Sequence, residues 1–292
     1  MHVLGFGADL ERAGLMSVIT TSIGIDNCYV PLGLLKRHVN ISSSTFDTRL
    51  LECIAAASRH FESPEMANRV FWTRADVRYF DGRWCDLLLV DDLLAITELA
   101  EDTGEDGSFA TVWAATDYTL RPYNGWPKFE IAPAMGGEYL FTRGQRRYRV
   151  TGTFGYGDGK SASPWMATAL TATVATTSAT TVTVSAATNL DAGQTLLVES
   201  EQMFVTGYDA TTITVVRGVN GTTAAAHSGK AISIAQYPGA VVRAVAWLAA
   251  RAWNTDAEAG IEFQMVGDWQ ERYRMVADQY VLNLANSVRR VA

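Results

Sequence analysis

Apolar residues recur every three or four positions in two separated parts of this chain, and every two positions in the long stretch between them. The first helical pattern is STFDTRLLECIAAASRHFES, residues 44–63. There Phe46, Leu50, Ile54, Ala57 and Phe61 fall on one stripe, with Asp47, Arg49, Glu52 and Arg59 mostly elsewhere. Ser42 to Ser44 offer N-cap oxygens and Pro64 stops the pattern. A shorter helix is expected just before it, with Pro31 at its first position and Leu34 and Leu35 on one face. Residues 1–28 show weak periodicity and several glycines, and read as an arm whose order depends on a partner.

From Val70 the period changes towards two. RVFWTRADVRYFDG, RWCDLLLV, LLAITEL, ATVWAATDYTLRP, WPKFEI and RRYRVTGTFGYG are rich in aromatic and β-branched residues, with turn chemistry between them. They predict an antiparallel sheet of five or six strands. Composition then shifts. Between about Trp165 and Ala235 charge falls and Thr, Ala and Val dominate, with Asp191–Gly193, Tyr208–Asp209 and Asn220–Gly221 as punctuation. That spacing predicts a small folded all-β module. It interrupts a strand-to-helix connection, so it is read as an insertion at an exposed loop, outside the main core.

Helices return after Pro238 and Gly239. Val241, Val245, Leu248 and Ala252 make a stripe, NTDAEAG is a polar break, and a long terminal helix places Trp269, Tyr273, Val276, Tyr280, Leu284 and Val288 at steps of three or four. Asp268 and Glu271 in its first turn, with Arg289 and Arg290 in its last, suit the helix dipole. The expected fold is therefore α+β: N-terminal helices, an antiparallel sheet and C-terminal helices, with an inserted small all-β domain. The boundaries are 1–28 for the arm, 29–164 with 237–292 for the core, and 165–236 for the insertion.

Bulk properties narrow the function. The 292 residues carry a formal charge of −7, which argues against non-specific DNA wrapping as the main task but leaves room for a local basic patch. Three widely spaced cysteines, Cys28, Cys53 and Cys85, suggest buried free thiols in a reducing compartment. The start of the chain lacks the pattern of a signal peptide, and no stretch is long and apolar enough to cross a bilayer. The expectation is a soluble protein made in the cytosol, with no membrane partner.

Candidate chemistry is sparse. Asp91 and Asp92 in LLLVDDLLAIT raise the question of a carboxylate pair, but a catalytic pair must converge, and neighbours in a strand point to opposite faces. They read best as the link between two strands. His2, His38, His60 and His227 lack partners at ligand spacing, so no metal or cofactor is expected. GFGADLERAG has a misplaced third glycine and no preceding strand. Asn40 and Asn220 match glycosylation acceptors without a secretion signal. The one basic cluster, Arg143, Arg146, Arg147 and Arg149, fits an exposed edge strand that discourages pairing; it also fits contact with an acidic partner surface or passing DNA. In a strand, Arg147 and Arg149 share a face and Arg146 takes the other.

Several stretches carry a family resemblance. TRADVRYFDGRWCDLLLVDDLLAITELAED (73–102), ATDYTLRPYNGWPKFEI (115–131), YRVTGTFGYG (148–157) and VVRAVAWLAARAW (241–253) resemble the head–tail connector (adaptor) proteins of tailed bacteriophages. YVPLGLLKRHVNI and LLECIAAASRHFES look like the first two helices of that family. LLVESEQMFVT (196–206) and VVRGVNGTTAAAH (215–227) resemble a β-module recurring in phage structural proteins. The resemblance implies a non-enzymatic virion protein at the neck, assembled in the host bacterial cytoplasm. It implies a homo-oligomeric ring, commonly a dodecamer, between the portal protein and a stopper or tail-completion protein. Phage DNA would pass through the lumen without sequence specificity. It also implies that Asp91 and Asp92 have no catalytic role. Candidate interface residues are Trp269, Tyr273 and Tyr280 of the terminal helix, whose stripe equally suits an ordinary core, and Arg146, Arg147 and Arg149. The rival reading is a phage-associated binding protein whose β-module recognises carbohydrate or a capsid surface.

Overall fold

The computed structural model describes residues 25–134, 140–186, 190–258 and 279–290, with backbone alone at 255–258. Two helices come first, α1 (Leu32–His38) and α2 (Asp47–Glu62). Leu50, Ile54, Ala57 and Phe61 of the predicted stripe are buried, as the periodicity requires, while Phe46 stays exposed against Trp253. The expected caps differ. Pro31 precedes α1 as its N-cap and is not its first residue. No serine caps α2; Ser43 Oγ accepts instead from the Thr45 N–H within the turn before it. The expected arm is shorter than 28 residues, since Ile25, Cys28, Tyr29 and Val30 already sit in the helical core.

Six strands follow: β1 (Arg74–Gly82), β2 (Leu88–Glu101), β3 (Thr111–Trp113), β4 (Tyr118–Arg121), β5 (Lys128–Pro133) and β6 (Gly144–Phe154). They form one antiparallel sheet in the order β1-β6-β2-β5-β4, with β3 against β2. Two sequence readings are overturned here. Asp91 and Asp92 do not link two strands; they lie inside the single 14-residue β2. Its register shifts between Leu89 and Leu93, so the strand leaves β5 and joins β6 across this irregularity. And β6, which carries the arginines, is no edge strand, being paired on both sides with β1 and β2.

The Thr-rich region forms a closed barrel of six strands in the order β10-β11-β8-β7-β12-β9. These are β7 (Trp165–Val174), β8 (Thr181–Val184), β9 (Thr195–Val198), β10 (Glu201–Tyr208), β11 (Thr212–Val216) and β12 (His227–Ala235). Closure removes exposed edges, which suits a segment with few charges to guard them. Its ends meet where the Gln236 N–H donates to the Pro164 carbonyl at 2.8 Å, as an insertion requires. Helix α3 (Gly239–Glu258) then returns to α2, and runs through most of the expected polar break. The helical residues 279–286 close the described chain.

Three apolar clusters result, one among the helices, one inside the barrel and one on the sheet. The barrel does not stand outside the main core as expected. Alternation along β10 turns Met203 and Val205 into the barrel and Phe204 into the helical cluster. The barrel also caps α1: Ala192 O accepts from Leu32 N at 2.9 Å, and Asp191 Oδ2 accepts from Gly33 N at 2.6 Å. Those are two of the orphan donors that every helix start must satisfy.

One buried ion cluster fastens the barrel. Glu201 is fully buried and receives two bonds from Arg217, at 2.6 and 2.8 Å, and the backbone N–H groups of Gly218 and Ala225, each at 3.0 Å. His227 is wedged between Glu201 (2.8 Å) and Glu199 (2.9 Å). Burial opposes ionisation of Glu201, but Arg217, the Ala225 N–H, His227 and the Gly218 N–H together bring its pKa down to about 2.

Two outcomes follow from this packing. Phe204→Ala should cost about 3–5 kcal/mol by chemical denaturation, as for other buried aromatics, and a loss under 1 kcal/mol would show that the contact is marginal. For Glu201 the depressed folded pKa means its stabilisation is complete above about pH 4.5 and is lost as pH falls towards 2. Glu201→Gln should therefore lower stability by about 3–5 kcal/mol at neutral pH and flatten the acid side of the melting profile. Matching acid slopes in the two proteins would contradict this.

Candidate interaction surface

The predicted basic cluster lies at one end of the sheet, where the β1–β2 loop, the start of β6 and the loop after β2 enclose an open cleft of about 930 Å³. Arg83, Arg143, Arg146 and Arg147 line it, with Asp81, Asp102 and Glu105. Arg146 and Arg147 of this lining, and Arg149 next to it on β6, are held differently. Arg147 is sunk into the sheet, with Nε at 3.0 Å from Glu101 and Nη1 at 3.1 Å from Glu105. Glu101 is itself buried and takes further bonds from Thr142 Oγ1 (2.8 Å), Tyr148 OH (3.1 Å) and Trp113 Nε1 (3.3 Å). Its pocket walls are Trp113 stacked on Phe141 and both edge-on to Tyr148. Arg147 is thus part of the scaffold beneath the cleft.

Arg146 and Arg149 bracket an aromatic pair. Arg146 lies 4.5 Å over the Tyr79 ring and Arg149 lies 4.9 Å from the Phe109 ring, the two rings being 5.4 Å apart. The expected division of faces fails because Arg146 adopts a left-handed backbone, φ +50°, with its N–H donating to Asp81 Oδ1 at 2.7 Å. That local twist breaks the strand alternation and brings Arg146 onto the Arg149 side. Arg149 is also tied to Glu98 at 2.7 Å.

Beside these arginines stands Trp84, 64% exposed and at φ +57°. A bulky residue in that region costs about 1–2 kcal/mol. The loop holds it there through the Trp84 N–H to Phe141 carbonyl bond at 2.9 Å and the Phe141 N–H to Cys85 carbonyl bond at 3.0 Å. Trp84 thus combines a strained backbone with a large apolar ring displayed to solvent. Sequence reasoning missed Trp84 because nothing in RWCD encodes a positive φ.

A second charged cluster surrounds Asp91 and Asp92, at a cavity of about 360 Å³. Asp91 binds Arg78 Nη1 at 2.8 Å and Arg290 Nη1 at 3.1 Å. Asp92 lies 2.9 Å from Arg69 Nε, and burial pushes its carboxyl up against the pull of Arg69 and Arg290. Both carboxylates border this cavity, and each is paired with guanidinium. With Arg289 on the Pro64 carbonyl and Arg69 on the Val288 carbonyl, this clasp pins the end of the described chain to the sheet.

Of the terminal-helix candidates, Trp269 and Tyr273 lie outside the described residues. Tyr280 is half-buried against the chain's own α3, 5.6 Å from Trp247 and under Arg243. Val281, Ala285 and Val288 pack into the helical core, so this end of the stripe points inward. His227, read as a loop residue, is a buried barrel residue. Among the described residues, no group of three or more His, Cys, Asp or Glu is placed to hold a metal ion.

Trp84→Gly should leave the monomer as stable or up to about 1–2 kcal/mol more stable, because glycine accepts the left-handed backbone without strain. A fall in melting temperature of several degrees would instead make Trp84 a support of the loop. No protein-family model, no curated protein and no solved structure matches this chain.

Proposed function

We propose that this chain is a structural subunit of the neck of a tailed bacteriophage. It would form a head–tail connector ring between the portal and a stopper or tail-completion protein. The reading rests on its resemblance to that family and on one structural observation. Exposed large apolar side chains gather on the sheet and its loops: Val77, Tyr79, Trp84, Leu89, Val112 and Phe129 are each more than 40% exposed. A sheet that exposes this many large apolar groups suits contact with other polypeptides. Tryptophan, tyrosine and arginine, the residues concentrated at the cleft, are those that dominate protein interfaces.

In this reading copies of the chain meet through the sheet, and the barrel decorates the ring. The helices and the Asp91–Arg290 clasp keep each subunit rigid. The formal charge of −7 suits a lumen through which DNA slides, since a surplus of lysine and arginine would hold the phosphates. No covalent chemistry is required of the protein.

Electron microscopy of the purified chain, alone and with portal protein, tests the assignment. Closed rings that dock on the portal are expected, and the double variant Val77→Asp/Phe129→Asp should give folded monomers with an unchanged circular dichroism spectrum. Wild-type protein that stays monomeric and ignores the portal would refute it.

A further inference from the structure

The arginines of the sheet-end cleft divide by what they do inside the chain. Arg147 is paired with Glu101 and Glu105, and Arg146 lies over the Tyr79 ring. Arg83 and Arg143 are exposed, and among the described residues their guanidinium groups have neither an ion pair nor a hydrogen bond. The backbone brings these two together. Gly82 of β1 is the register partner of Gly144 of β6, and a Cβ on Gly82 would fall 1.7 Å from the Thr142 carbonyl oxygen. Arg83 follows Gly82 and Arg143 precedes Gly144, so both spring from one close approach of the chain to itself. The backbone bonds of Trp84 and Cys85 with Phe141 lock that approach. Like charges on neighbouring segments repel, and Trp84 beside them holds a left-handed backbone with its ring in solvent. Neither cost is offset within the described chain, and a bound partner would offset both.

The polar groups of the cleft indicate the partner's chemistry. Its own carboxylates are engaged: Asp81 accepts from the Arg146 N–H at 2.7 Å, Asp102 from the Gly107 N–H at 2.8 Å, and Glu105 from Arg147 at 3.1 Å. What the cleft offers is therefore chiefly donors, two guanidinium forks whose planar geometry matches a carboxylate or a phosphate. Two observations favour carboxylates. A continuous run of phosphates would have to pass Asp81, Asp102 and Glu105, which line the same cleft and repel it. The rings on which nucleic-acid bases would stack already carry guanidinium, Arg146 over Tyr79 and Arg149 over Phe109. A polypeptide can space its charges to suit, and can set an apolar side chain on Trp84.

We propose that the sheet-end cleft binds an acidic segment of another polypeptide. Carboxylates of that segment pair with Arg83 and Arg143, and a large apolar side chain next to them covers Trp84. The inference rests on the reading of this cleft as a contact surface and needs neither a ring nor a neck.

Fluorescence anisotropy with the full chain and labelled synthetic peptides tests it. The probes are a serine-rich peptide bearing glutamates and a leucine, its counterpart with glutamine for glutamate, and its counterpart with glycine for leucine. The glutamate–leucine peptide should bind the wild-type chain at least about tenfold more tightly than the glutamine peptide. The double variant Arg83→Gln/Arg143→Gln should lose that preference at an unchanged melting temperature, since neither side chain supports the fold. Trp84→Gly should bind the leucine and glycine peptides alike, where the wild type prefers leucine. Absence of binding, equal binding of glutamate and glutamine peptides, or equal binding by wild type and the double variant would overturn the proposal. So would tighter binding of a labelled oligothymidine of the same length through the same arginines. Electron microscopy reads the neck assignment separately: lost peptide binding in a protein that still forms rings on the portal sinks this inference alone, and peptide binding without rings sinks the neck assignment alone.

Discussion

Three apolar clusters in one chain of this size cannot be held together by any one of them, so the fold depends on polar ties that cross between them. The Asn220–Gly221 turn is the central tie. Asn220 bonds Asn27 from the helical layer, Gln202 from the barrel and, through its carbonyl, Ala75 of the sheet. Gln202 continues the network to Thr73 at 3.2 Å. Both turn residues adopt positive φ, +59° and +78°, and a Cβ on Gly221 would come within 2.2 Å of the Ala75 carbonyl oxygen. An Asn-Gly pair is the natural solution to that geometry, since asparagine tolerates the left-handed region and glycine permits the close approach. Satisfied buried amides of this sort specify one arrangement of parts more than they add net stability.

The same logic governs the charges. Glu201, Glu101, Asp91 and Asp92 are drawn into or beside the interior, and each is matched by guanidinium from a different element. Arg217 fastens the barrel, Arg147 the end of the sheet, and Arg69, Arg78 and Arg290 the clasp at the end of the described chain. Arg83, Arg143 and Arg146 line the sheet-end cleft beside Arg147. Interior ties join the three clusters, and the cleft with Trp84 is the surface that the proposed function uses for contact.

Features set by local pattern were legible in the sequence. The stripe of α2, the strands of the sheet, the folded all-β insertion and the start of α3 all follow from periodicity and turn residues. What the pattern could not carry was long-range compensation. Asp91 and Asp92 read as a turn because two adjacent carboxylates rarely sit inside a long strand; they stay there because Arg69, Arg78 and Arg290 arrive from distant parts of the chain. The arginines of β6 read as edge protection because their partners Glu98, Glu101 and Glu105 lie more than 40 residues away. The conformation of Trp84 is likewise imposed by its bonds to the Phe141 segment. The cleft was legible in its residue types and illegible in its geometry.

In the proposed ring the sheet surface is covered. Hydroxyl-radical footprinting of assembled and monomeric protein measures this directly, side chain by side chain. Trp84, Tyr79 and Phe129 should lose most of their reactivity on assembly, while Tyr208, exposed on the barrel, keeps its own. Equal labelling of Trp84 in both states, or protection confined to the barrel, would contradict the central claim.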